Sequence, residues 1–207
     1  MTARFDARHL QERLTAAGHD IGAVDGVAGK RTYAALLAHV AGRPVAMLMP
    51  LAIALAADLP RYGIDATPAR LANFIGQAAH ESGDFRYLSE IWGPTPAQKG
   101  YEGHAALGNT QPGDGYTYRG RGIFQLTGRA NYREIGERIG QPLEDEPGLA
   151  QRPDIAVLTA CDFWDFRQLN ALADAGREDE ITRRINGGTN GIDERRRLVA
   201  KVKGLLA

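Results

Sequence analysis

Between residues 45 and 207 no convincing run alternates apolar and polar side chains, whereas apolar residues return repeatedly at helical spacing. A strand repeats every two residues and a helix every 3.6, so this pattern restricts the chain to a mainly α fold. Helical patterns lie near residues 48–62, 68–82, 129–139, 154–169, 178–185 and 192–205. The clearest is "TPARLANFIGQAAHESG", residues 67–83. Thr67 is a capping residue, Pro68 suits the first helical position and Gly83 suits the stop. Leu71, Phe74, Ile75 and Ala78 mark one face of this helix. Continuing along that face reaches Glu81, so a carboxylate emerges on the apolar stripe at the last turn.

Burial disfavours the charged form of a carboxyl group, and the negative end of the helix dipole lies beside Glu81. Both effects favour a retained proton near neutral pH, which is what a general acid requires. The same pattern also fits a carboxylate just past the core that pairs with an arginine.

The chain has 207 residues, 43% hydrophobic and 24% charged, enough to form a full-sized core. Lys+Arg and Asp+Glu are each 25, so the basic excess of a general nucleic-acid binder is missing. Arginines nevertheless cluster at 119–138 and 183–197. Cys161 is the single cysteine, so no internal disulfide forms; its setting, "LTACDFWDF", reads as a core helix. The N-terminus lacks the apolar stretch of a secretory signal. The longest apolar run, "VAMLMPLAIALAA" at 45–57, is too short to span a bilayer, and Pro50 falls near the start of the helix expected there.

Residues 4–40 read as a helix, a Gly/Asp-rich loop and a second helix, closed by "AGRP". About 40 residues make a binding unit more readily than a catalyst. The later stretch "YEGHAALGNTQPGDGYTYRGRGIFQLTGRANY", residues 101–132, is dense in glycine, amide, aromatic and arginine groups. Aromatic faces stack on sugar rings, and amides and guanidinium groups reach hydroxyls and acetamides. The glycines permit close backbone approach.

Two resemblances follow from these residues. "LQERLTAAGHDIGAVDGVAGKRTYAALLAHV" resembles the peptidoglycan-binding module of cell-wall hydrolases. "FIGQAAHESGDF", "YRGRGIFQLTGRANY" and "RRINGG", in that order, resemble the chitinase-like glycoside hydrolases of family 19. The second resemblance implies a lysozyme-like, two-lobed α-helical domain over residues 44–207, preceded by a small helical peptidoglycan-binding domain over 1–43.

By matched position, Glu81 is similar to that family's general acid. A second carboxylate activates water; Glu102 is the preferred counterpart and Glu90 its rival, since the loop after the helix departs from plant chitinases. An inverting mechanism needs the two carboxyls about 6.5–9.5 Å apart. Gln125, Thr127 and Asn131 match polar substrate contacts, and Tyr118 and Asn186 further cleft positions. Capping and backbone bonding are the structural alternatives for Gln125 and Asn131, and a left-handed turn for Asn186. Arg195 corresponds to a cleft arginine that orients the acid, although the run "ERRR" at 194–197 leaves the register open. His80 holds substrate or braces the loop. No HExxH motif follows it, and neither a metal nor a cofactor is expected.

The resemblances together imply a monomeric phage- or prophage-type lysin. It would be made in the cytoplasm without a signal peptide, be released with holin assistance, and cut the β-1,4 glycan of bacterial peptidoglycan, without nucleic-acid binding or stable membrane insertion. A chitinase, a lytic transglycosylase using one glutamate, and a non-catalytic wall-binding protein are the alternatives.

Overall fold

The computed structural model describes residues 4–207. Eleven α-helices follow in order among the described residues: α1 (Ala7–Ala16), α2 (Lys30–Ala41), α3 (Val45–Asp58), α4 (Pro68–Glu81), α5 (Pro96–Lys99), α6 (Asp114–Thr117), α7 (Arg129–Ile139), α8 (Pro153–Phe166), α9 (Leu169–Asp174), α10 (Glu178–Asn186) and α11 (Ile192–Leu206). The only extended pairing among them is two isolated antiparallel bridges, Ser89 with Arg121 and Arg121 with Leu126. No helix among the described residues is long and apolar enough to cross a membrane.

Helix α4 forms as its sequence dictates. The Thr67 side chain accepts a hydrogen bond from the Arg70 amide, Pro68 occupies the first helical position, and Gly83 takes a left-handed conformation just past the end. Its apolar face packs against α11 so closely that a Cβ on Gly76 would lie 2.6 Å from Val199 Cγ2. Glycine is required there because the two helix backbones meet at that point.

The apolar residues divide into two clusters. The larger draws on α1–α4, α8, α9, α10 and α11; the smaller gathers Tyr118, Tyr132, Ile135, Leu143, Ala150 and Ile155. Helix α8 belongs to both, with Ile155 in the small cluster and Val157, Cys161 and Trp164 in the large one. The segment 118–126 also reaches both, with Tyr118 in the small cluster and Ile123 in the large one.

The N-terminal segment contributes Leu10, Leu14, Tyr33, Leu36 and Leu37 to the larger cluster. So short a segment lacks the area to bury a core of its own, and here it shares one. Tyr33 Oη donates to Asp65 across 3.1 Å, and Lys201 of α11 donates to the Val40 carbonyl. Helix α3 starts at Val45, earlier than its apolar pattern suggested, because Pro44 serves as its N-cap. Pro50 therefore sits inside the helix, on the solvent face, where the carbonyl it leaves unbonded can meet water.

Candidate active site

Glu81 ends α4 with its side chain 17% exposed. The apolar setting expected for it proves ionic. Arg195 of α11, itself only 3% exposed, donates from Nη2 to Glu81 Oε1 at 2.5 Å. Its Nη1 donates to Gln77 Oε1 at 2.6 Å and its Nε to the Asn190 carbonyl at 3.2 Å. Gln77 and Glu81 lie one helical turn apart on α4, so both meet the same guanidinium. Gln77 also donates to Thr182 of α10. Arg195 is thus the one arginine of "ERRR" that points inward, while Arg196 and Arg197 are exposed.

Asn186 supports this arrangement indirectly. Its side chain donates to the Asn190 carbonyl and accepts from the Gly188 amide, which fixes the turn that presents that carbonyl to Arg195. The left-handed residue of the turn is Gly187, not Asn186. His80 braces the same turn. Its Nδ1 lies 2.9 Å from a Glu194 carboxylate oxygen without hydrogen-bond alignment, and a Cβ at Gly191 would overlap its ring. Of the two roles considered for His80, substrate contact and bracing, this packing is of the bracing kind.

The chain turns sharply after Glu81. Gly83, Asp84 and Phe85 have φ of 57°, 58° and 60°. For Asp84 and Phe85 that conformation costs on the order of 1 kcal/mol or more each and persists only if held. Arg43 holds it, donating from Nη1 to the Asp84 carbonyl at 3.2 Å and the Phe85 carbonyl at 2.6 Å. Nothing in the sequence pattern marked Arg43, because the contact joins residues far apart in the chain.

Beyond this turn, Glu90 is held on both carboxylate oxygens. Gln98 Nε2 and the Tyr101 hydroxyl donate to Oε1, at 3.0 and 3.4 Å, and the Gly120 amide donates to Oε2 at 3.1 Å. Burial and the neighbouring Glu90 carboxylate push the Tyr101 phenol up, so it stays a donor. Gly120 lies between Glu90 and Gln125: a Cβ there would stand 2.7 Å from Gln125 Oε1 and 3.4 Å from Glu90 Oε2. Gln125 is itself left-handed, with φ of 49°. Its backbone carbonyl accepts from Thr127 Oγ1, and the Thr127 carbonyl accepts from Asn131 Nδ2. Gln125, Thr127 and Asn131 line a groove of about 260 Å³ together with Phe124, Phe163 and Phe166.

Two expected residues lie elsewhere. Tyr118 is 4% exposed, its ring against Tyr132 and beneath Arg129, with its hydroxyl donating to the Glu144 carbonyl. That burial in the small lobe makes it a core residue and not a cleft contact. Glu102 is exposed, and both its oxygens accept backbone hydrogen bonds, from Gly113 at 2.6 Å and Gly115 at 2.8 Å. It staples the two ends of its loop. Nearby, hydrogen bonds from Arg129 hold the Asp114 carboxyl below the usual carboxylate range.

Two carboxylates are thus held for use: Glu81 at the end of α4, gripped on one oxygen by Arg195, and Glu90 in the bridged segment, which reaches Gln125 of the groove across Gly120. No family model matches the chain. It is similar to a glycosyl hydrolase family 19 domain-containing protein of Haemophilus influenzae, 34% identical over 154 residues, covering 61% of this chain and 75% of that protein. It is also similar to an endochitinase of Arabidopsis thaliana, 34% identical over 66% of this chain but only 46% of the plant protein. The chain thus spans about half the length of that relative. Among solved structures, chitinase C of Streptomyces griseus aligns with a TM-score of 0.65 at 23% identity, covering 83% of this chain and 90% of that one. A class IV family 19 chitinase of Zea mays aligns with a TM-score of 0.57 at 26% identity, covering 74% and 78%.

Proposed function

The chain belongs to glycosyl hydrolase family 19, and from that premise we propose that it cuts the β-1,4-linked glycan of bacterial peptidoglycan by inverting acid–base hydrolysis. That it is a glycoside hydrolase follows from the family; the polymer, the residue roles and the lysin character are our reading. The observation that carries it is the setting of Glu81. Arg195 takes one oxygen, and Oε2 has no hydrogen-bond partner among the described residues. Oε2 is the atom to deliver a proton to the bridging oxygen as the C1–O bond breaks. Arg195 then stabilises the carboxylate left behind, which places the guanidinium where charge develops.

Glu90 is our choice for the base that takes a proton from water as that water attacks the anomeric carbon from the opposite face. Its three donors fix its orientation, and Gln125 stands beside it over Gly120. Glu102 supports the loop instead: it is exposed and ties Gly113 and Gly115 to its own loop, whereas Glu90 meets Gln125 across Gly120. The groove of Gln125, Thr127 and Asn131 is suited to hydroxyl and acetamide groups of the sugar.

Peptidoglycan is favoured by the N-terminal segment, whose sequence resembles wall-binding modules. In this reading that segment anchors a phage- or prophage-type lysin on its polymer. Chitin is the second reading, favoured by relatives named as chitinases. Digestion of purified sacculi and of N-acetylglucosamine oligomers in heavy-oxygen water, followed by mass spectrometry, tests both. The expected products from sacculi carry one heavy oxygen at the new reducing end. Anhydro ends without it identify a lytic transglycosylase, and cleavage of the oligomers alone identifies a chitinase.

A further inference from the structure

We propose that Trp92, Tyr116 and Arg119 form a subsite for the peptide-bearing sugar of peptidoglycan, with the aromatic pair stacking on the ring and Arg119 binding a carboxylate of the attached peptide. The inference rests on the peptidoglycan reading and deepens it. Tyr116 is 52% exposed, and its ring meets Trp92 edge-on with centroids 5.3 Å apart. Trp92 also packs against Tyr101, whose hydroxyl donates to Glu90. Arg119 precedes Gly120, whose amide donates to that same carboxylate. The aromatic shelf is therefore tied to Glu90, through Tyr101 on one side and Gly120 on the other.

Arg119 differs from the other arginines of its stretch. Arg129, Arg133 and Arg138 each bind carboxylates, and Arg121 is buried against the Thr117 carbonyl and the Tyr132 hydroxyl. Arg119 pairs with no carboxylate among the described residues. Its guanidinium lies 4.2 Å from the centroid of the Tyr116 ring, and only Nη1 is engaged, donating to the Tyr116 carbonyl. A guanidinium held over an exposed ring, with donors left over, is preorganised for a planar anion. Chitin offers acetamides and hydroxyls but no carboxylate. Peptidoglycan carries carboxylates on the peptides of every second sugar. This pairing of ring and cation suits the second polymer.

The test compares Arg119→Gln and Tyr116→Ala with the parent on three substrates: intact sacculi, sacculus glycan stripped of peptides by an amidase with the lactyl carboxylates so freed then capped as amides, and N-acetylglucosamine oligomers. One exposed charge-assisted contact is lost in Arg119→Gln, so the ratio of sacculus to oligomer kcat/KM falls roughly tenfold. The difference between parent and variant disappears on stripped glycan. Tyr116→Ala raises KM on all three by about three- to tenfold. Co-sedimentation of the Glu81→Gln chain with sacculi, with and without the Arg119 change, reads the same contrast without turnover. A sacculus-to-oligomer ratio unchanged by Arg119→Gln, or an equal loss on stripped glycan, overturns the subsite while the peptidoglycan reading stands. A parent chain that cleaves oligomers but neither cuts nor binds sacculi overturns both.

Discussion

Arg195→Met is the most informative perturbation, because one guanidinium serves Glu81, Gln77 and the Asn190 carbonyl. Removing one partner of a buried ion pair costs about 3–5 kcal/mol, and the 17% exposure of Glu81 puts the loss near the lower end. Gln77 Oε1 is left in the core without its donor, which costs about 1 kcal/mol more. Methionine fills most of the vacated volume and returns part of the packing. The expected loss is about 4 kcal/mol, or a Tm lowered by roughly 8–16 °C for a chain of this size. Urea denaturation at pH 7, with the slope checked for constancy, measures it. Adding Glu81→Gln to Arg195→Met neutralises the stranded carboxylate, so the double variant should be more stable than Arg195→Met alone. The single variant should also lose kcat by about a hundredfold, as the acid loses its orientation. A loss below about 1 kcal/mol, or a double variant less stable than the single, refutes the coupling argued here.

Glu90→Gln should lower kcat by at least about a hundredfold with little change in Tm, whereas Glu102→Gln should loosen its loop and leave kcat within about fivefold; steady-state kinetics on sacculi separate them. Arg43→Ala should lower kcat about tenfold with KM nearly unchanged, because it releases the left-handed turn between Glu81 and Glu90, and Arg43→Lys should restore part of the loss. Gly76→Ala should cost about 3 kcal/mol or more in thermal or urea unfolding, since its Cβ meets the Val199 backbone nitrogen as well as its side chain. Asp114 and Asp174 have folded-state pKa values lowered by hydrogen bonds from Arg129 and Arg70. Their contribution is present above the unfolded value of about 4 and is lost as pH falls through the lower folded values. Urea midpoints followed from pH 6 to pH 2 should therefore fall, and less steeply in Asp114→Asn.

The helix that carries Glu81 was legible because its signals are local. Thr67, Pro68 and Gly83 act on backbone groups within a turn of themselves, and the apolar stripe needs no partner to be counted. Arg195 was legible only as one member of a run of arginines. Which of them turns inward depends on the rotation of α11 against α4, and close contact between Gly76 and Val199 sets that rotation. Tyr118 misled because aromatic residues in a glycine-rich loop read as exposed until the small lobe closes over them. Glu90 and Glu102 could not be ranked from spacing, since the partners that distinguish them, Gln98, Tyr101 and Gly120 against Gly113 and Gly115, depend on how the loop folds back. The turn at Gly83, Asp84 and Phe85 was invisible for a related reason. Aspartate and phenylalanine do not favour φ near 60°, and the long-range bonds from Arg43, just past α2, help to hold that conformation alongside the local bonds to Ala79 and Ser82.

The two carboxylates are therefore held by different physics. Glu81 takes its position from helix packing: α4 against α11, with Arg195 as the polar link inside an apolar contact. Close-packed helices do not yield gradually, so this position is rigid. Glu90 takes its position from polar ties in a segment whose pairing is two isolated bridges. Such ties to a carboxylate contribute about 1.5–3 kcal/mol each and lie in a segment with little apolar packing, which opens locally at lower cost than a core does. On the proposed roles, the water-activating group rides on the softer element and the acid on the rigid one. On this division of labour, core substitutions in α4 or α11 should impair proton delivery and stability together. Substitutions at Gln98 or Tyr101 should change kcat at nearly constant stability. Amide exchange gives an independent check: protection should be strong at Gln77 and Ala78 and weak from Glu90 through Gly100. Uniform protection across both segments is incompatible with it.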